Sequence, residues 1–240
     1  IKCDIIIIDK KEESSLIIKQ FKKISNYFFA IDYVGKNRNL LENGVNILYP
    51  KSGVKQKAYS GLQYAILNKN FKKTKSIRKK VNSILILQGG ADTYCLIPQI
   101  INSLNYLNED FKITVIVGPS FKCWKKLEKS KKHSKHFIDI LHNVQNMSTE
   151  MLKHDLAITA GGMTLLELSR TGIPSVVICG EKLEEETAIL MEKKGFGMNL
   201  GFSKSISMDK LAKKTQLLIN DYELRKKMNK TGPKLVDGKG

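Results

Sequence analysis

At 240 residues with 42% apolar side chains and no low-complexity tract, the chain can bury a sizeable core and is neither disordered nor fibrous. Its 41 basic and 23 acidic residues give a formal charge of +18, which raises nucleic acid or an anionic membrane as a partner. Nucleic acid is set aside, because only four of the basic residues are arginine, the type suited to base readout, and aromatics do not alternate with the basic runs.

In chain order, DIIIID (4–9) reads as a buried strand, too short and too β-branched for a helix. Ser14-Ser15 cap a helix with Leu16, Ile17, Phe21 and Ile24 on one stripe. Strands follow at 27–32 and 45–49, then a turn at Gly61 with a short apolar element. The basic stretch KNFKKTKSIRKK (69–80) reads as a linker.

Beyond it the alternation is regular. Strands are expected at 83–92, where SILILQ ends in Gly89-Gly90, and at 113–118, 137–141, 156–160 and 175–179. Helices are expected at 96–107, 121–132, 148–153 (capped by Ser148), 164–170, 184–194, near 208–219 and at 222–228. This pattern predicts an α/β fold: two Rossmann-like parallel-sheet domains, residues 1–68 and 81–240, joined by 69–80. The first holds three strands and reads as the latter part of a truncated domain. With no initiator Met and an ending at LVDGKG, the chain is expected to be a fragment.

No apolar run is long enough to span a bilayer and no signal peptide is visible, so a cytoplasmic location is expected. The lysine surplus reads as solvated faces that also attract a phosphorylated substrate, with peripheral membrane contact left open. Cys3, Cys95, Cys123 and Cys179 are scattered without a C-x-x-C pair. They read as small buried hydrophobes in a reducing compartment, and a disulfide or zinc site is disfavoured.

In open parallel sheets, ligands bind at the carboxyl ends of strands. Three glycine turns are expected there: Gly89-Gly90, Gly118 and Gly161-Gly162. In GGMTLLE (161–167), glycines after a strand permit close approach of backbone to ligand, and the following helix offers unpaired N–H groups and its positive dipole end to a phosphate. Glu167, one turn in, is placed for ribose hydroxyls. Thr164-x-x-Glu167 also fits a capping box, and spacing alone does not decide between the two. The capping reading leaves the three glycine turns on one sheet edge unexplained, whereas a nucleotide accounts for both.

Other polar candidates are weaker. His133-x-x-His136 reads as a solvated helix end rather than a metal site. His142 follows a strand at the expected cleft edge, and His154 reads as structural. Asp9 and Asp32 end strands and either face the cleft or cap turns.

The segments LQGGAD, VQNMSTEMLKHDLAITAGGMTLLELSRTGIPSVVI and LVDGKG resemble the C-terminal half of the UDP-sugar hydrolases of pseudaminic acid biosynthesis and related spore-coat polysaccharide proteins. That family shares the GT-B fold with the N-acetylglucosaminyltransferase that makes lipid II. IIIIDKKEESS, IDYVG and YSGLQYAIL resemble the latter part of its N-terminal domain. The resemblance implies UDP against the C-terminal domain, its diphosphate held by Gly161, Gly162, Met163 and Thr164, its ribose by Glu167 and its uracil lined by Met147. Gly89 and Gly90 would approach the diphosphate or sugar from the facing loop.

The resemblance further implies metal-independent, cofactor-free release of a free sugar from a UDP-linked deoxy-amino sugar. Its catalytic histidine belongs to an early N-terminal loop absent here, so no catalytic residue is assigned and this chain alone is expected to be inactive. After SVVIC the family commonly carries Asn-Gln or Gln-Gln near the sugar; here Glu184-Glu185-Glu186-Thr187 stands instead. Carboxylates repel a diphosphate, so these are expected to point away, unless the sugar differs. After the first strand an acidic-Tyr pattern is replaced by Asp9-Lys10-Lys11. Hydrolase is the first reading, a UDP-sugar glycosyltransferase the alternative, and a non-catalytic nucleotide-sugar-binding subunit the alternative of another class.

Overall fold

A computed structural model describes residues 2–240, which divide into two compact units. The first runs to Ile66 and includes Lys239–Gly240; the second is Leu67–Gly238. Both are built on parallel sheets, as the alternating sequence pattern requires.

In the first unit, β1 (Ile5–Asp9), β2 (Tyr27–Ile31), β3 (Asn43–Asn46) and β4 (Ala58–Ser60) lie side by side in that order. The fourth strand corrects the expected three: it is three residues long, below what periodicity reveals. Helix α1 (Ser15–Phe21) starts at Ser14, whose side chain accepts from the Ile17 amide. Ile8, Ile18, Phe28, Tyr33 and Leu41 form the core. The Asp32 carboxylate accepts from the amides of Ile47 (2.7 Å) and Leu48 (2.9 Å), so it caps the turn after β3.

In the second unit the elements are β5 (Ser83–Leu87), α2 (Leu96–Leu104), β6 (Lys112–Val117), α3 (Trp124–Lys132), β7 (Phe137–His142), α4 (Met147–Met151), β8 (Leu156–Thr159), α5 (Met163–Thr171), β9 (Ser175–Cys179), α6 (Glu184–Lys193), β10 (Met198–Phe202), α7 (Met208–Asn220) and α8 (Tyr222–Leu235). The strand order is β10-β9-β8-β5-β6-β7. Central strands β5, β8 and β9 are buried on both faces, which is why they read as unbroken apolar runs. Strand β10 and the last two turns of α8 depart from the expected elements. Gly and Asn dilute the apolar signal of MNLGF, and the last turns of α8 contain Gly232 and Pro233, both poor helix formers. Gly232 instead lets α8 lie against α5, where a Cβ would meet the Ser169 carbonyl at 2.4 Å.

Helix ends follow local chemistry. Gly172 closes α5 in the left-handed region (φ +69°), with Ile173 N–H donating back to Leu168 O. Ser207 and Asp221 cap α7 and α8. Helix α4 is capped by Asn146, not Ser148, whose hydroxyl donates to Asn70 O (2.9 Å).

The basic segment 69–80 is tied along the second unit. Lys75 N–H donates to Thr171 O (2.7 Å) and its ammonium to Leu152 O (2.8 Å). Arg225, 1% exposed, donates its guanidinium to the carbonyls of Leu218 and Ile219 at the end of α7 and of Arg78 and Lys79 in the segment. Among the described residues no helix is long and apolar enough to cross a membrane.

Candidate functional site

The chain runs outward from β5 through β6 to β7, then returns to start β8 on the other side of β5. At such a switch point, the loops leaving two neighbouring strands diverge and open a crevice. Leu87 of β5 pairs with Thr159 of β8 and with Ile116 of β6, so the loops after all three strands emerge on one edge. A cavity of about 280 Å³ lies there, lined from the β5 side by Gln88, Gly89, Gly90 and Asp92, from the β6 side by Ser120, and from β8 and β9 by Ala160, Gly180 and Glu184.

The glycines divide by role. Gly89 sits at φ +66°, and no atom lies within 4 Å of where a Cβ would stand on it or on Gly90. Both therefore face open space. A Cβ on Gly118 would stand 2.4 Å from the Gly90 Cα, so Gly118 serves loop packing and not a ligand. Gly161 is required by the Glu184 backbone, whose carbonyl would be 2.8 Å from its Cβ.

The capping-box reading of Thr164-x-x-Glu167 does not survive. The N-cap of α5 is Gly162, which has no side chain to offer, and Thr164 is already the second helical residue. Helix α2 next door is different: the buried Asp92 carboxylate accepts from Leu96 N–H (2.7 Å) and Ile97 N–H (3.0 Å). The N-terminus of α5 thus keeps its amides and dipole for an outside acceptor.

Glu167, one turn further, is half-buried, and its carboxylate has no hydrogen-bond or ion-pair partner among the described residues. Burial alone pushes its carboxyl up to about 7. An unpaired, partly desolvated carboxylate is stabilised by any ligand that brings hydroxyl donors to it. Helix α4 packs beside α5, which puts Met147, its half-buried first residue, at the same sheet edge as Met163 and Thr164.

Glu184 does not point away. Its Oε2 accepts from the amides of Gly180 (2.8 Å), Glu181 (3.3 Å) and Gly161 (3.4 Å). One carboxylate oxygen therefore sits where amides from the β8 and β9 loops converge, and burial raises its pKa despite those donors. Glu185 turns outward, accepting from Phe202 N–H (3.2 Å) and pairing with Lys182. Cys179 below is buried, its thiol pushed up to about 12 by burial and by Glu184, and so is not a nucleophile.

Other candidates lie elsewhere. His142 ends the edge strand β7, two strands from β5, its ring edge-on to Trp124. His136, expected on a solvated helix end, is buried between Leu104 O (2.7 Å) and Phe111 N–H (3.3 Å), which the i, i+3 spacing to exposed His133 did not reveal. His154 is buried beside Glu150. Cys95 and Cys123 are joined in a disulfide with Cα atoms 5.8 Å apart, against the sequence expectation. The N-termini of α2 and α3 bring together thiols 28 residues apart. Cys3 is exposed, and only Cys179 is the buried hydrophobe expected of each cysteine.

Residues 62–237 match the profile of the glycosyltransferase family 28 C-terminal domain. The chain belongs to that family. Among curated proteins, this family 28 chain is 30% identical to protein MJ1062 of Methanocaldococcus jannaschii over 204 residues, 78% of the chain and 42% of that protein. It is 26% identical to the spore coat polysaccharide biosynthesis protein SpsG of Bacillus subtilis over 187 residues, 76% of the chain and 55% of SpsG. The chain thus spans about half the length of the curated relatives it matches.

Solved structures share the fold at low identity. A glycosyltransferase of Rickettsia africae superposes with a TM-score of 0.67 at 14% identity, covering 96% of the chain and 71% of that structure. MurG of Acinetobacter baumannii gives 0.57 at 14%, covering 96% and 65%. The spinosyn rhamnosyltransferase SpnG complexed with thymidine diphosphate gives 0.57 at 12%, covering 93% and 72%. The fold of this family 28 chain is that of GT-B glycosyltransferases.

Proposed function

We propose that the second unit holds the UDP part of a UDP-sugar, and that the whole protein transfers that sugar in surface-glycan synthesis. The observation that carries this reading is Glu167: a half-buried carboxylate without a partner, one turn inside a helix whose N-terminus no side chain caps. The diphosphate would lie over Gly161, Gly162, Met163 and Thr164, the ribose hydroxyls on Glu167 and the uracil near Met147. Gly89 and Gly90 leave room for the diphosphate or sugar on the facing side.

The chemistry these residues supply is leaving-group stabilisation. As the bond between the anomeric carbon and the diphosphate oxygen breaks, UDP takes the electron pair. The free amides and dipole at the start of α5 face that growing charge. The acceptor's oxygen then bonds the anomeric carbon and gives up its proton. None of the four histidines lines the crevice, whose titratable groups are the carboxylates of Asp92, Glu181 and Glu184.

Hydrolysis of the same donor, the first expectation from the sequence, has less behind it. The matched family and the structural relatives are described as glycosyltransferases.

Calorimetric titration with UDP, with CMP as control, tests the reading. UDP is expected to bind saturably, and Glu167→Ala to weaken it by about 1.5–3 kcal/mol, roughly 10- to 150-fold. A folded chain that ignores UDP, or binds UDP and CMP alike, would sink it.

A further inference from the structure

Gln88 stands between the last residue of β5 and the Gly89-Gly90 turn. It is 5% exposed, and both amide atoms, Oε1 and Nε2, are buried without a hydrogen-bond partner. A primary amide carries two donors and an acceptor, and buried polar groups are nearly always satisfied. Beside it, β8 ends in Thr159, fully buried, whose Oγ1 is also unpartnered. Thr159 is in register with Leu87 and so faces the other side of the sheet, which leaves the Gln88 amide as the unused polar group under the cavity.

The cavity's charge is the second observation. Among the described residues no lysine, arginine or histidine lines it, in a chain with 41 basic residues, whereas Asp92, Glu181 and Glu184 do. Lys204 is held over the ring of Tyr94, 5.3 Å from its centroid. Asp92 is occupied with α2. Glu184 commits Oε2 to backbone amides, and its Oε1 lies 3.2 Å from where a side chain on Gly162 would begin. One wall thus offers a neutral amide and the other a carboxylate.

We infer that Gln88 is a specificity-determining residue that reads the sugar of the nucleotide sugar, while Glu184 turns away a sugar bearing a carboxylate. Gln88 takes a group that donates and accepts hydrogen bonds at once, a hydroxyl or an acylamino group. The inference rests on the nucleotide-sugar reading above. It accounts for a polar residue ending a strand that is otherwise SILIL, where leucine or methionine would fill the space and leave nothing unpaired. The competing explanation is a purely internal pairing of the Gln88 amide after a side-chain rotation.

The test titrates the full chain and Gln88→Met with UDP, UDP-glucose, UDP-N-acetylglucosamine and UDP-glucuronic acid, and follows thermal unfolding of both proteins. UDP is expected to bind the two alike. At least one neutral sugar should add affinity in the parent chain, and Gln88→Met should lose roughly tenfold of it. Which of the two neutral sugars gains decides between hydroxyl and acylamino. The glucuronic acid donor should bind more weakly than UDP-glucose, a gap that Glu184→Gln narrows. Gln88→Met should also melt about 2–4 °C higher, because two unpaired polar atoms leave the core. A lower melting temperature means an internal partner and overturns the inference. So does sugar affinity untouched by Gln88→Met while UDP binds normally, and that outcome spares the nucleotide reading. A folded chain that binds no UDP removes both.

Discussion

The Oε2 atom of Glu184 lies 2.8 Å from the amide nitrogen of Gly180 and 3.4 Å from that of Gly161, so one side-chain oxygen spans the loops after β9 and β8. An anionic ligand at the Gly161 turn meets this carboxylate beside the free amides that start α5. Burial raises the Glu184 pKa, so this carboxyl takes up its proton at a higher pH than an ordinary glutamate does. In a Glu167→Gln background, where the carboxylate proposed for the ribose no longer titrates, UDP-glucose, whose diphosphate does not titrate near neutrality, should therefore bind more tightly as pH falls from 8. Glu184→Gln should flatten that slope and raise affinity at pH 8 by roughly tenfold. Calorimetry at three pH values checks this; an unchanged slope in Glu184→Gln means that the carboxylate swings clear.

Glu167 gives a stability prediction of defined sign. Its carboxyl is pushed up to about 7 in the folded protein, above the ordinary glutamate range. The folded state then keeps a proton that the unfolded chain has released. Stability falls as pH climbs from about 4.5 to about 7 and levels off above that. Glu167→Gln should therefore stabilise the ligand-free protein at pH 8 and leave it nearly unchanged at pH 4, while weakening UDP binding. Urea denaturation at both pH values reads the difference.

Gly90 and Gly118 are close in space and opposite in expectation. Gly90→Ala places a methyl group in open space and should leave thermal stability unchanged, yet weaken UDP-sugar binding by narrowing the cavity. Gly118→Ala drives a Cβ into the Gly90 backbone and should cost about 1–3 kcal/mol of stability. If Gly90→Ala binds UDP-glucose normally, the space beside the turn is not used by that donor.

The Cys95–Cys123 bond closes a loop with a sequence separation of 28 residues. On the chain-entropy account, removing it by Cys95→Ser with Cys123→Ser should cost about 3–4 kcal/mol. Hydrogen exchange should quicken most between 89 and 95, the stretch running from the glycine turn to the bond. Equal melting temperatures with and without reductant would mean that the two thiols are not joined in solution.

Much of the second unit was readable from periodicity, because β5, β8 and β9 are covered on both faces and appear as bare apolar runs. Where strands are short or diluted, as in Ala58–Ser60 and MNLGF, no pattern of period two builds up. The last turns of α8 are hidden for another reason: Gly232 is a poor helix former that answers to the approach of α5, a tertiary contact. At the candidate site, the glycine turns and Glu167 carry visible sequence signals. Gln88 does not, since one polar residue after an apolar strand means nothing until its amide is known to lack a partner. Glu184 stands out in the sequence, but its direction does not, because repulsion from a ligand says nothing about the amides that hold the carboxylate in the ligand's absence.

Arg225 bears on how this protein comes apart. Its guanidinium is sealed among carbonyls from the end of α7 and from Arg78 and Lys79, so neither side can leave without stranding a cation in the interior. A stretch so rich in lysine invites trypsin, and residues 69–80 contain the sites. Cleavage between Arg78 and Val81 in the native chain should nonetheless be slow and should track global unfolding of the second unit, not local fraying. Replacing Arg225 with methionine would loosen that seam and turn the same stretch into the first place a protease cuts.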